Sequence, residues 1–258
     1  MFALNGRNIL VTGGAGYLGT PVCQLLKAQG ANVIIADRDA ERLHAARDAV
    51  ASSPGIGQVA TLPLDMADES SILGCVESAA QAFGPLSGLI AATAYNSGKA
   101  FDALDAATFD MANRINLTGT FLLARAAAAT MASGGSMVLY SSMYGVVSPD
   151  PKNYPGEMTP NAIEYGVGKA GLNQMVRYMA GHYGPSNIRV NALYPGPFPH
   201  AAVQQAHPDF IANLEAETML GRIGRQDETA GAAVFLISDA ASYITGQVLG
   251  VDGGWTAW

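Results

Sequence analysis

The feature that most constrains this chain is a short apolar run that ends in glycines and passes straight into a helical pattern. Asn8-Ile-Leu-Val-Thr12 reads as a buried strand. It leads into Thr12-Gly-Gly-Ala-Gly-Tyr-Leu-Gly19, where Gly13, Gly16 and Gly19 match G-x-x-G-x-x-G, and then into a helical pattern over residues 20–29. Glycines at a strand-to-helix turn permit a tight bend, close approach of backbone to a pyrophosphate, and close packing of helix on strand. The helix start then presents free N–H groups and the positive end of its dipole to phosphates. The predicted unit is the opening of a dinucleotide-binding α/β fold.

The chain continues in the same alternation. A second strand over residues 32–36 ends at Asp37, 18 residues beyond Gly19. A carboxylate there can accept from a ribose 2′-OH and repels a 2′-phosphate, which favours NAD. Arg38 beside it keeps NADP open, because a guanidinium can hold that phosphate. The competing reading of Asp37 is an N-cap for the helix at 39–50, and ribose binding is preferred because strand and glycines are already in place. Further strands are expected at 58–64, 86–92, 136–140, 187–193 and 246–252, with helices at 68–83, 101–131, 163–183 and 226–238. Asp65, at a strand end, either meets the adenine or caps the next helix. The pattern predicts a Rossmann-type, doubly wound parallel sheet of roughly seven strands, with helices on both faces. Ligands of such sheets bind beyond the carboxyl ends of the strands, where Asp37, Asp65, Thr93 and Ser142 all fall.

Length and composition fit one domain over residues 1–258, and no linker or internal repeat appears. The formal charge is −7 and there is no Lys/Arg-rich tract, which disfavours nucleic-acid and anionic-membrane partners. Cys23 and Cys75 read as apolar packing residues, and the four histidines show no metal-ligand spacing. No basic segment followed by an apolar run precedes residue 7, and no run is long enough to span a bilayer, so a soluble cytoplasmic protein is expected. The absence of G-x-S-x-G and of G-x-x-x-x-G-K-[ST] sets aside a serine hydrolase and a P-loop enzyme. Residues 143–164, rich in Pro, Asn and Tyr, read as a long loop, and 196–220 as a substrate lid.

The chemistry centres on Tyr165-Gly-Val-Gly-Lys169. Residues four apart on a helix share a face. An ammonium near a phenol favours phenolate, so the tyrosine could exchange a proton with an alcohol or ketone near neutral pH. Alone, this spacing also fits an ordinary amphipathic helix.

Taken together, the glycine loop, Asp37, Asn116, Ser142, Tyr165 with Lys169, Asn187-Ile-Arg-Val-Asn191, Pro195-Gly196 and Gly246-Gln with Val-Asp-Gly-Gly254 resemble the short-chain dehydrogenase/reductase family, single-domain type, along essentially the whole chain. The resemblance implies an NAD(P)-dependent oxidoreductase moving hydride between nicotinamide and a secondary alcohol or ketone. It makes Tyr165 the general acid/base and Lys169 the group that lowers its pKa and holds the nicotinamide ribose. Ser142 would hydrogen-bond the substrate oxygen, and Asn116 would anchor a water leading protons to Lys169. It places Gly13, Gly16, Tyr17, Leu18, Gly19, Asp37, Arg38, Asp65, Met66, Ala92, Thr93, Tyr165, Lys169, Pro195, Gly196 and Phe198 against the cofactor. Ser142, Tyr144 and Tyr165 fall against the substrate. It implies no metal, and a homodimer or homotetramer.

Three departures stand out. Tyr17 replaces a common glycine, a spelling more frequent among longer epimerases and dehydratases. Ala91-Ala-Thr-Ala94 replaces the usual Asn-Asn-Ala-Gly. Ser142 and Tyr165 lie 23 residues apart, more than is usual. Ser141-Ser-Met-Tyr-Gly-Val-Val-Ser-Pro-Asp150 and the ending Val251-Asp-Gly-Gly-Trp-Thr-Ala-Trp258 are similar to a subset associated with surface-sugar and flagellin modification, which points to a polyol, sugar or sugar-derived substrate. The competing functions are an NAD-binding sensor or scaffold without turnover, and an epimerase or dehydratase that recycles its NAD.

Overall fold

A computed structural model describes residues 1–258. Seven strands form one sheet: β1 (Asn8–Thr12), β2 (Asn32–Asp37), β3 (Val59–Pro63), β4 (Gly88–Ala91), β5 (Gly135–Tyr140), β6 (Ile188–Pro195) and β7 (Val248–Val251). Their order is β3-β2-β1-β4-β5-β6-β7, and every pairing is parallel. The order reverses at β1, which pairs β2 on one side (Leu10 with Ile34) and β4 on the other (Leu10 with Leu89). A crevice opens at such a reversal, beyond the strand ends.

Side chains alternate along each strand, so each strand feeds two cores. Leu10, Ile34, Leu89, Met137 and Val190 face α3 (Glu69–Phe83), α5 (Thr120–Thr130) and α6 (Ile163–Tyr183). Ile9, Val11, Val33, Ile35, Ile90 and Val138 face α1 (Gly19–Ala28), α2 (Ala40–Ala51) and α9 (Glu228–Ile237). Burial on both sides is why these strands read as continuous apolar runs rather than alternating ones. Cys23 and Cys75 lie unpaired in the two cores, and burial pushes both thiols up, Cys75 to about 11, as packing residues require. No helix is long and apolar enough to cross a membrane.

Three segments differ from the sequence expectation. The helical stretch expected over 101–131 opens with a separate 3₁₀ turn (Phe101–Ala103) and then runs unbroken from α4 (Ala106–Asn113) through a π turn (Arg114–Gly119) into α5. Asp105 starts α4 afresh by accepting from the Thr108 N–H. Gly119 passes so close to Met66 that a Cβ would sit 2.3 Å from its carbonyl oxygen. Residues 143–164 are not structureless: Ser142 and Asp150 cap two 3₁₀ turns (Met143–Gly145 and Pro151–Asn153), and Asn173 donates to the Gly145 carbonyl. The segment 196–220 carries two short helices, α7 (Ala201–Ala206) and α8 (Pro208–Glu217).

Candidate active site

The glycine loop is built by close contacts that only glycine allows. Gly13 takes φ 67° and donates to the Ala36 carbonyl, and a Cβ on it would lie 2.8 Å from Ala92 and Thr93 backbone. A Cβ at Gly19 would lie 2.2 Å from the Gly13 carbonyl oxygen. No side chain caps α1, so its first N–H groups face the loop.

Three cavities run along this edge of the sheet. One of about 330 Å³ is lined by Gly13, Gly16, Tyr17, Asp37, Arg38, Asp65, Met66, Ala92 and Thr93, among others. A second, of about 150 Å³, continues past Leu18 and Gly19 to Ser141, Tyr165, Lys169 and Pro195. The third, about 520 Å³, holds Ser142, Tyr144, Tyr154, Tyr165, Phe198 and His200. Tyr165 lines both the second and the third, so it stands where the two meet. Gly196 and Phe198, expected against the cofactor, line the third cavity, which Tyr165 shares with the second. Gly196 is held there by β7: a Cβ on it would lie 2.5 Å from Asp252 Cα.

The two strand-end aspartates are not the helix caps. The Asp37 Oδ1 accepts from the N–H groups of Arg38 and Asp39, while Asp39 caps α2 and also pairs with Arg42. Asp65 accepts from the Ala67 N–H, and Asp68 caps α3.

Lys169 is 1% exposed, and its Nζ donates to the Tyr140 carbonyl at 2.7 Å and lies 5.6 Å from the Tyr165 ring centre. Burial holds its pKa near 8, below the ordinary 10.5. The expectation that Lys169 pulls the phenol down is not met in the chain by itself. Burial raises the Tyr165 pKa, and only the neighbouring Ser142 hydroxyl opposes that shift. Desolvation outweighs an ammonium already committed to a backbone carbonyl.

Asn116 is fully buried in the π turn. Its amide accepts from the Tyr95 N–H (2.8 Å) and donates to the Tyr95 carbonyl (2.7 Å), pinning the loop that follows β4. Glu164, unnoticed in the sequence, pins the same loop from α6: its carboxylate accepts from the Ser97 hydroxyl (2.6 Å) and N–H (3.0 Å). It is fully buried next to Tyr165. Tyr154, Asn161, His200, Val203 and Phe210 were also unforeseen cavity residues. The His200 ring lies 4.3 Å from that of Tyr17, bridging the lid segment and the glycine loop.

Comparison with known proteins follows this geometry. A family profile described as enoyl-(acyl carrier protein) reductase matches residues 14–256. The chain is 36% identical to a 2,5-dichloro-2,5-cyclohexadiene-1,4-diol dehydrogenase of Sphingobium indicum, over the full length of both. It is 32% identical to a galactitol 2-dehydrogenase (L-tagatose-forming) of Cereibacter sphaeroides, covering 100% of this chain and 98% of that one. Its fold superposes on a short-chain type dehydrogenase/reductase from Mycobacterium marinum with a TM-score of 0.87 and 27% identity, covering 100% and 98% of the two chains. Likeness of this extent, over a sheet and crevice of this design, shows that the chain belongs to the short-chain dehydrogenase/reductase family.

Proposed function

We propose that this protein is an NAD-dependent oxidoreductase acting on a secondary alcohol or its ketone, within the polyol, sugar and cyclic-diol range that its relatives' names cover. The observation that carries this reading is the position of Tyr165, on the wall shared by the dinucleotide crevice and the 520 Å³ cavity. The family uses a nicotinamide dinucleotide, and the glycine loop fits one: with no Cβ at Gly13 or Gly19 to strike neighbouring backbone, the turn packs tightly and leaves the crevice to its N–H groups.

In this reading the α1 N-terminus and the loop through Gly13, Gly16, Tyr17, Leu18 and Gly19 hold the pyrophosphate. Asp65, Met66, Ala92 and Thr93 flank the adenosine half. Asp37 keeps one carboxylate oxygen clear of its two backbone donors and can accept from the ribose diol, which favours NAD over NADP. Arg42 is turned to Asp39, leaving Arg38 as the nearer cation for a 2′-phosphate. Lys169 holds the nicotinamide ribose, and Pro195 closes that end.

When bound, the nicotinamide takes up or returns the hydride at its C4. The Ser142 hydroxyl holds the substrate oxygen. During oxidation the positive charge of a bound oxidised nicotinamide would favour the Tyr165 phenolate against the effect of burial; Tyr165 would then accept the carbinol O–H proton while the C–H electron pair leaves as hydride and the carbon–oxygen bond becomes a carbonyl. Reduction runs the same transfers backwards, with Tyr165 donating its proton. Asn116 and Glu164 position the loop against Tyr165 from two sides. The 143–164 loop and the 196–220 lid enclose the substrate within a single domain. The exposed apolar residues Phe121 on α5 and Ile163, Val167 and Tyr178 on α6 support a homodimer or homotetramer through those helices.

The test is NADH formation across a panel of polyols and cyclic alcohols, with Tyr165→Phe alongside. The expected result is turnover by the native chain and a loss of about a thousandfold or more in kcat for the variant, with NAD affinity kept. Tight NAD binding with no hydride transfer to any alcohol or ketone would contradict the reading.

A further inference from the structure

The 520 Å³ cavity has a chemical signature of its own. Of its 20 lining residues, none is Asp, Glu, Lys or Arg. The charged residues of the surrounding loops, Asp150, Lys152, Glu157 and Asp209, are exposed and lie outside the lining. Glu164 is turned to Ser97. His200 is the one imidazole in the lining, and its ring lies against Tyr17. Apolar and aromatic side chains make up much of the wall, Met143, Met158, Phe198, Phe210 and Leu214 among them.

The polar groups suit hydroxyls. Tyr144 and Tyr154 share one hydrogen bond of 2.7 Å between their phenol oxygens. Two hydroxyls sharing one bond leave one O–H free to donate and lone pairs free to accept. Burial and the Tyr154 phenol push the Tyr144 pKa up, so the Tyr144 phenol stays neutral. Asn161 Oδ1 is buried with no protein donor on it, and Asn161 lines the same cavity. A substrate hydroxyl can satisfy an acceptor of that kind. A carboxylate, which only accepts, would set lone pair against lone pair.

We propose that this cavity selects an uncharged, compact substrate carrying a second hydroxyl, a cyclic diol or its hydroxyketone, and rejects alcohols bearing a carboxylate, phosphate or sulfonate. The proposal rests on the oxidoreductase reading and narrows it. The reacting carbinol sits at Ser142 and Tyr165, and the second oxygen is met by the Tyr144–Tyr154 pair. Burying an anion without a cation costs several kcal/mol, which the lining does nothing to offset.

The experiment compares four alcohols with the full chain and saturating NAD: cis-cyclohexane-1,4-diol, cyclohexanol, cis-4-hydroxycyclohexanecarboxylate and the corresponding carboxamide. The diol should exceed the carboxylate in kcat/KM by about 100-fold or more, and the carboxamide should recover most of that loss. Thermal protection of the NADH-loaded chain should follow the same order, which reads binding without turnover. Tyr154→Phe keeps the ring against Phe210, 5.2 Å away, and should cut the diol-over-cyclohexanol ratio about tenfold. Val203→Arg, which places a cation on the lid side, should raise the carboxylate relative to the diol. Carboxylate at parity with diol, or an unmoved ratio in Tyr154→Phe, overturns the neutral-diol proposal and leaves the redox reading standing. NAD binding without oxidation of any of the four overturns both.

Discussion

The dinucleotide crevice and the substrate cavity are built by different means. The crevice is made of backbone: glycines, strand ends and a helix start, all held by the sheet register. The cavity is made of side chains brought in by two long connections, 143–164 and 196–220. Backbone geometry repeats across relatives because the bound group repeats, whereas loop side chains vary with what each enzyme takes. Tyr165 belongs to both regions, with Lys169 lining one beside it and Ser142 lining the other.

The sharpest way to break this contrast is to close the backbone cradle. Gly19→Val puts a side chain into the Gly13 carbonyl and Gly14 Cα, at 2.2 and 2.7 Å from the first added carbon. NAD affinity should fall by about 100-fold or more, measured by calorimetric titration; a drop of less than about threefold would mean the crevice is not the binding site. Lys169→Met addresses the junction. Burial lowers the Lys169 pKa from 10.5 to about 8, so below that value the folded chain carries a buried charge that the unfolded chain solvates freely. That costs folding about 3 kcal/mol at neutral pH, and the cost disappears as pH rises from ~8 to ~10.5. The variant should therefore melt higher than the native chain at pH ~7, by somewhat less than this figure because the bond to Tyr140 is lost, and lose its advantage above pH ~10. A variant less stable than the native chain at pH ~7 would show that the lysine is a net structural support. The smallest effect is at Asp37: replacement by Ala should lower the NAD-over-NADP ratio in kcat/KM about tenfold, and an unchanged ratio would assign selectivity elsewhere.

The sheet and crevice were readable because their signals are local. Apolar runs bounded by glycine, and glycines at fixed offsets, carry their meaning within a few residues. Where meaning depended on distant partners, it was hidden. Glu164 binds Ser97, 67 residues away, and nothing in the neighbourhood of either residue marks the other. Gly119, in the π turn of the helix over 106–130, packs against the Met66 carbonyl of a distant element. Phe198, set against the cofactor by the family resemblance, lies on the wall of the 520 Å³ cavity, and no local signal marks it as a cavity residue. The Tyr165–Lys169 spacing correctly implied a shared face, but it could not show that burial dominates the phenol's acidity.

The most direct test is a crystal structure of the chain with NAD and an unreactive diol analogue. The Tyr165 hydroxyl should lie within hydrogen-bond reach of the analogue oxygen, with the nicotinamide C4 about 3–3.5 Å from the carbon that would give up hydride. A nicotinamide lodged away from Tyr165, or an analogue bound outside the cavity that Ser142 and Tyr165 share, would contradict the assignment.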